Sequence, residues 1–352
     1  MLYPLRFQPV YKDYPWGGRS LEALRGPIPT PGILAESWEV SCHPNGPSLI
    51  LDGPLSGVSL PDAIARFGEA LLGRRIVADG GSDFPLLAKF IDAREPLSVQ
   101  VHPGDAYAQA HEGWSHGKNE MWYVVAAAPG SELVVGLKPG TTRPQFAEAV
   151  AAGRCEALLR SAPVFPGDVV DIPAGRLHGI GAGLLIYEVQ QNCDLTYRVY
   201  DYGRRDAQGK ERPLHVAQAL DVIDFNDPSD AILRRTDPIP VRYAGMQGAT
   251  DADAVSTTGA VGFRPLLSNL YFQVEEWTLA QGATATFTAE GERFRILTAV
   301  DGAGRVHYVQ EDGSQDAVGF RKSDSLLIPA ALGRFVVEGP VRFLQSLPGG
   351  VH

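Results

Sequence analysis

The sequence predicts a mainly β protein in which two β units, joined by an irregular stretch, carry small helical insertions. Three observations predict it. Gly 39 and Pro 27 together make nearly one residue in five of the 352, and that many backbone punctuators favour short strands and turns over long helices. Apolar residues recur mostly with a period of two rather than 3.6. The segment GDVVDIPAGRLHGIGAG (Gly167–Gly183) is also echoed by SDSLLIPAALGRFVVEG (Ser323–Gly339) at a constant offset of 156 residues, Asp168 matching Asp324, Ile172 matching Ile328 and Pro173 matching Pro329.

Taken in order, Leu60–Arg75 (LPDAIARFGEALLGRR) has apolar residues at helical spacing, with Pro61 in the first turn where a helix tolerates it. Leu97–His102, Met121–Ala126 and Glu132–Leu137 are short, β-branched and bounded by Gly or Pro, as strands are. Arg143–Arg160 reads as one or two helices. Val169–Ile172 and Leu184–Gln190 are again strands, and Leu214–Phe225 is a further helix. These helices fall between groups of strands and read as covers or insertions on a β scaffold. Asn226–Ser268, with DPSD, TDPIP and DADAVSTTGAVG, reads as a linker, after which Leu270–Leu347 returns to strands alone.

Lys plus Arg total 31 against 41 for Asp plus Glu, a formal charge of 31 − 41 = −10. That balance, without any Lys/Arg run, argues against non-specific nucleic-acid or anionic-membrane binding. The hydrophobic fraction of 44% and charged fraction of 20% are those of a globular protein. The start, MLYPLRFQPVYKDYPWGG, has no apolar core of signal-peptide length, and no apolar run is long enough to span a bilayer. A cytoplasmic location is the expectation. Cys42, Cys155 and Cys193 are an odd number with no CxxC, which speaks against a disulfide framework or a thiolate zinc site.

The chemistry concentrates in the first unit. In LSVQVHP, Gln100 and His102 are two apart, which on a strand places them on one face. In GKNEMWYVV, Glu120 opens an apolar strand, where a carboxylate is out of place unless paired or metal-bound. His178 follows a Pro–Ala–Gly turn in DIPAGRLHGIG. Two imidazoles, a carboxylate and an amide oxygen can hold a divalent ion with room for water or substrate. Zinc is the first choice for that donor set, with Mn²⁺ or Fe²⁺ also compatible. The competing reading is bland: a single His in a β protein is more often hydrogen-bonded structure, and a strand-start Glu is usually solvated. Opposite His178 in the internal echo stands Arg334, so any chemistry belongs to the first copy.

Longer stretches carry a family resemblance. FQPVYKDYPWGGRSL (Phe7–Leu21), AESWEVSCHPNGPS (Ala35–Ser48) and FPLLAKFIDAREPLSVQVHPGDAYA (Phe84–Ala108) are followed by GKNEMWYV (Gly117–Val124), IPAGRLHGIG (Ile172–Gly181) and EVQQNCDLTYRVYDYGR (Glu188–Arg204). With these stretches the chain resembles the type I mannose-6-phosphate isomerases of the short bacterial form, in the cupin superfamily. The resemblance covers most of residues 7–204, and LSVQVHP with QQNxDxTYRxYD is its most specific part. It implies a bicupin of two jelly-roll β units. Residues 1–225 would be the catalytic metal-binding unit, 226–268 the linker, and 269–352 a degenerate unit without metal ligands, a structural partner. It also implies one Zn²⁺ held by Gln100, His102, Glu120 and His178, an active-site lysine at Lys118 and an active-site arginine at Arg198. Two positions depart from the family pattern: Asn119 stands where Pro is frequent, and Cys193 where Ser or Thr is common. Neither removes a charge or a ligand.

The implied reaction interconverts mannose 6-phosphate and fructose 6-phosphate through an enediolate, so negative charge must be stabilised on two sugar oxygens while a base moves a proton. Asp194, Glu36, Glu39, Lys118 and metal-bound water are all open as that base. Phosphate would fall to Arg198, whose alternative is a structural pair with Asp194 or Asp201, and to Lys89 in LLAKFID, whose alternative is a snorkelling edge position. Trp16 and Trp38 would line a sugar site or simply fill the core. The partner expected is a small-molecule sugar phosphate, with neither nucleic acid nor membrane. Rival readings are an isomerase of another aldose, phosphorylated or free, and a non-catalytic bicupin that senses sugar or metal. A dioxygenase fits less well, because the Gln100/Glu120 pair is oxygen-rich.

Overall fold

A computed structural model describes residues 2–78, 83–205, 208–227, 231–235 and 254–349. The chain divides into two compact units: residues 11–37 with 89–235, and residues 1–10 with 38–88 and 236–352. The segments interleave, where contiguous units 1–225 and 269–352 joined by 226–268 were expected. Strand pairing explains part of the difference: Leu5–Gln8 runs antiparallel to Ser325–Ile328, Leu5 opposite Leu327, so the N-terminal residues complete a C-terminal sheet.

A seven-stranded sheet, most of whose residues fall in 11–37 and 89–235, runs in the order Ile232–Leu233, Val169–Ile172, Glu120–Ala127, Leu184–Gln191, Leu86–Ala93, Glu36–Val40 and Val10–Lys12. A five-stranded sheet runs Tyr197–Tyr200, Val99–Val101, His178–Ile180, Glu132–Leu137 and Leu159–Pro163. Their inner faces share one core, in which Ile91, Trp122, Ile172 and Ile186 of the larger sheet meet Leu133, Val135 and Ile180 of the smaller. The outer face of the smaller sheet is covered by the helices Arg143–Ala151 and Val216–Val222, whose Phe146 and Ala219 pack with Val99, Val101, Tyr197 and Val199. Alternation thus decides everything on the strand Val99–Val101: the valines face the helices, and Gln100 faces the space between the sheets.

The other unit is organised around one long strand, Arg295–Val309. Its first part pairs with Ser325–Ile328 and Val341–Pro348, and its second with Gln315–Arg321 and Gly333–Glu338. The register shift between Ala299 and Asp301, followed by Gly302 at a left-handed φ of 72°, lets the strand turn from one set of partners to the other.

Several expected elements change in detail. Leu60–Arg75 is not one helix but three short ones, Leu60–Phe67, Glu69–Leu72 and Arg74–Ala78, because Gly68 and Gly73 take φ of 48° and 99° and break the ladder between them. Arg143–Ala151 and the 3-10 turn Cys155–Leu158 satisfy the reading of one or two helices, but Arg160 already lies in a strand. The reading missed the helix Asp105–Glu112 after the LSVQVHP strand, where the pattern of small residues carries little apolar signal. Part of the expected linker is sheet. Ile232–Leu233, Ala254–Thr258 and Val261–Ser268 are strands, the last an edge strand whose first four residues are exposed or half-buried. Such edges lack the alternation by which strands are recognised. The rest of the linker, 236–253, lies outside the described residues. No helix among the described residues is long and apolar enough to cross a membrane.

One glycine yields a direct prediction. A Cβ on Gly73 would sit 2.4 Å from Glu292 O and 2.5 Å from Arg293 Cα, at a φ that L residues rarely adopt. Gly73→Ala is expected to destabilise the fold by about 3 kcal/mol, the sum of the conformational and steric costs. A denaturant midpoint unchanged from that of the parent would contradict this.

Candidate metal centre

The sheets bring the expected ligands together without further help. Gln100 is opposite His178 on one side and Arg198 on the other, so Arg198, Gln100 and His178 form a row across three adjacent strands of the smaller sheet. Residues paired directly across strands project from the same face. With strands about 4.8 Å apart, Arg198 stands about 10 Å from His178 along that row. His102 follows at the end of the Gln100 strand. Glu120 comes from the larger sheet, where it is opposite Ile172 and Gln190.

The donor atoms of His102, Glu120 and His178 all lie within 4.8 Å of one another, and all three side chains are buried. Both imidazoles are oriented from behind. His102 Nδ1 is 2.7 Å from Leu195 O and His178 Nδ1 is 2.8 Å from Arg176 O, so each Nδ1–H donates to a carbonyl and leaves the Nε2 lone pair facing the cluster. Glu120 Oε1 is 3.2 Å from His102 Nε2, and Glu120 Oε2 is 3.7 Å from His178 Nε2. Among the described residues Lys118 meets Oε1, whereas Oε2 receives no well-formed hydrogen bond despite full burial. Converging lone pairs on two imidazoles beside a buried carboxylate with one oxygen undonated suit a divalent cation. Gln100 reaches the same cluster, its Nε2 lying 3.4 Å from His178 Nε2 and its Oε1 3.2 Å from Ser98 Oγ. A half-turn of the amide would present the oxygen instead, with the Ser98 hydroxyl able to accept as readily as donate.

The electrostatics favour the same protonation states. Burial, and then the neighbouring His102, hold His178 down to about 3. Burial and the Lys118 ammonium also keep His102 below its ordinary value. Burial alone would raise Glu120, but Lys118 and His102 outweigh it and keep this carboxyl well below the usual range. Neutral imidazoles beside an ionised carboxylate are the forms that bind metal. Lys118 Nζ is 2.5 Å from Glu120 Oε1 and 3.3 Å from His102 Nε2, so the expected active-site lysine is part of the cluster itself.

The remaining expected residues are less alike in their surroundings. Arg198 is half-buried, its Nε lacks a partner, and among the described residues it makes no ion pair. Asp201, one of its expected structural partners, is taken by Arg204 and Arg212. Burial and the nearby Arg212 both work against the Arg198 charge. Lys89 does not snorkel at an edge. It is 6% exposed, with its ammonium 3.5 Å from Glu36 and 3.1 Å from Glu188, so two carboxylates already engage its charge. Burial opposes that charge, but Glu188, Glu36 and Glu120 together hold it above its ordinary pKa. Trp16 and Trp38 are both 3% exposed and fill the core.

Two further titratable side chains near the cluster escaped the sequence reading. Glu188 is buried, accepts the Trp122 indole N–H at 2.7 Å, and is pushed up to about 7 by burial and then by the Glu120 charge. Its Trp122 partner stands edge-on to His178 with ring centroids 5.3 Å apart. Within an apolar run LLIYEV, a glutamate whose strand parity matches that of the next strand's metal ligand was the available signal. Tyr14 is the other position. Burial, and then the charge of Glu36, raise its phenol, and the charges of Lys89, Asp194 and Arg198 act on it too. The ring is 40% exposed and stacks on Trp16.

Comparison with known proteins places the chain in a family. The family description "Phosphomannose isomerase type I, catalytic domain" matches residues 4–146, and "Mannose-6-phosphate isomerase, cupin domain" matches residues 266–348. The chain is 35% identical to mannose-6-phosphate isomerase ManA of Bacillus subtilis over 346 residues, covering 97% of this chain and 98% of that one. It is 34% identical to the mannose-6-phosphate isomerase of Streptococcus mutans, covering 98% of each. The crystal structure of the mannose 6-phosphate isomerase from Bacillus subtilis superposes with a TM-score of 0.79 at 30% identity, over 98% of this chain and 99% of that one. On sequence and fold alike, the chain belongs to the type I phosphomannose isomerase family.

Proposed function

We propose that this protein is a mannose-6-phosphate isomerase that uses one divalent ion, Zn²⁺ by the softness of its two imidazoles, held by Gln100, His102, Glu120 and His178. The observation that carries the reading is the convergence of both Nε2 atoms on the Glu120 carboxylate, in a chain of this family, with Lys118 in the same cluster and Arg198 in the same row. When bound there, a divalent ion supplies Lewis-acid stabilisation of negative charge on the sugar oxygens.

The chain's own residues would do the rest. Lys118, already among the ligands, would pair with a sugar oxyanion or pass a proton. Arg198 would take the phosphate or a sugar oxygen through its fork of donors, and the lack of an ion pair leaves it available. Asp194 shares the neighbourhood of Tyr14 and Arg198 and stays a candidate for moving the proton between C1 and C2. Glu188 joins it, since a carboxyl raised toward neutrality holds and gives up a proton at working pH. Lys89 we assign to balancing Glu188 and Glu36 more than to phosphate. A sugar phosphate is charged and does not leave the cell unaided, which supports a cytoplasmic site of action.

We further read the whole as a bicupin. The strand order Val169–Ile172, Glu120–Ala127, Leu184–Gln191, Leu86–Ala93 is repeated as Ser325–Ile328, Arg295–Val309, Val341–Pro348, Phe272–Leu279. Ile172 is opposite Glu120, and its echo Ile328 is opposite Arg295. A buried guanidinium thus stands in the second unit where the first has its carboxylate, in keeping with a unit that binds no metal.

The deciding experiment is a coupled assay for fructose 6-phosphate formed from mannose 6-phosphate, before and after chelation and with Zn²⁺ restored. Turnover should vanish with the chelator and return with zinc. Absence of turnover in protein that retains stoichiometric metal would overturn the reading.

A further inference from the structure

Asn119 departs from the family pattern, and its side chain has no part in the chemistry above. Its surroundings are nevertheless specific. Asn119 N and Nδ2 both donate to Gln191 Oε1, at 2.9 and 2.7 Å, and Asn119 Oδ1 accepts the Ala174 N–H at 2.9 Å. Gln191 Nε2 donates to Asp105 Oδ1 at 2.9 Å, and the same oxygen accepts the Gly117 N–H at 2.6 Å.

The orientation of each amide in this chain is forced. Asp105, as a carboxylate, only accepts, so Gln191 must turn its nitrogen toward it. Gln191 Oε1 is then left for the two Asn119 donors, and the Ala174 N–H demands Asn119 Oδ1. Backbone bonds run alongside: Lys118 N donates to Pro103 O at 2.9 Å, Gln191 N to Asn119 O at 3.1 Å, and Gly175 N to His102 O at 3.0 Å.

What these bonds connect is informative. Pro103–Asp105 directly follow His102, Asn119 lies between Lys118 and Glu120, Ala174 and Gly175 open the turn that leads to His178, and Gln191 begins the loop to Asp194 and Arg198. We propose that Asn119 is a positioning residue, the centre of an Asp105–Gln191–Asn119–Ala174 clamp that locks the segments bearing His102, Glu120 and His178 into one register. Proline at this position would lack the N–H and both amide bonds, so the clamp is a feature of this chain. The kinetic part of the proposal rests on the isomerase reading; the metal-holding part does not.

The test uses the full-length protein loaded with Zn²⁺ and compares Asn119→Ala and Asn119→Asp with the parent. Asn119→Asp has nearly the same shape but loses the donor, and it answers the question even if Asn119→Ala folds poorly. Zinc release to a chromogenic chelator should accelerate about tenfold or more in both, the usual cost of losing an outer partner of a metal site. Circular dichroism and the denaturation midpoint of the apo-protein would establish that the fold is retained. In the coupled assay, kcat should fall while KM for mannose 6-phosphate moves less than about threefold, because Asn119 holds ligands and does not bind substrate. Zinc release and kcat both within twofold of the parent would overturn the proposal. If the parent shows no isomerase activity, the zinc-release comparison still decides the clamp and only the proposed function fails.

Discussion

Replacing His178 by Ala is expected to release the bound metal and to lower kcat/KM for mannose 6-phosphate by at least about 10²–10³-fold, the loss typical of removing one group that stabilises transition-state charge. The expectation follows from the geometry. His178 is buried, its Nδ1–H is committed to Arg176 O, and its Nε2 faces Glu120, Gln100 and His102. An imidazole so placed is suited to act as a ligand. Truncation also opens a cavity beside Trp122, so some loss of stability accompanies the loss of metal. Metal content by mass spectrometry separates the two, since a folded protein with substoichiometric metal marks ligand loss. A His178→Ala protein that keeps one metal per chain and activity within threefold would remove His178 from the ligand set.

Arg198→Ala should have the next largest effect. Losing a charge-assisted fork to an anion costs about 2–5 kcal/mol, which is roughly 30- to 4,000-fold in kcat/KM. Because Arg198 makes no ion pair among the described residues, its removal should cost no comparable stability and could even stabilise the fold. The substrate comparison then assigns its target. If Arg198 binds phosphate, turnover of unphosphorylated mannose should change little in the variant. If it binds a sugar oxygen, both substrates should suffer alike. Arg198→Lys should restore only part of the loss, since a point charge cannot reproduce the planar fork. Unchanged kcat/KM for mannose 6-phosphate would exclude Arg198 from the site, and a parent preference for free mannose would direct attention to the rival aldose reading.

How far these residues were legible differs for a physical reason in each case. Gln100 and His102 are two apart on a strand, and strand parity alone puts them on one face. Glu120 and His178 were legible as polar residues in places where sheet residues are normally apolar. The family resemblance added Lys118 and Arg198. Lys89 was visible as a charge within an apolar strand, but its partners were not. Glu36 lies 53 residues before it and Glu188 lies 99 after it, and only strand order makes the three neighbours. Asn119 was noticed as a departure, yet the donors and acceptors that give it a role lie 14 residues upstream at Asp105 and 72 downstream at Gln191.

The sequence by itself determined the β class, the strand faces and the residue types of the metal cluster, because those depend on periodicity and local chemistry. It also signalled the repeat, through IPA recurring at one spacing. Tertiary structure decided what depends on distance along the chain. Examples are the pairing of Leu5–Gln8 with Ser325–Ile328 and the break-up of Leu60–Arg75 by two glycines. Others are the proton affinity of Glu188 and the Arg198–Gln100–His178 row. Hydrogen-bond register and burial are set by the partner strand, and no local pattern records which strand that will be.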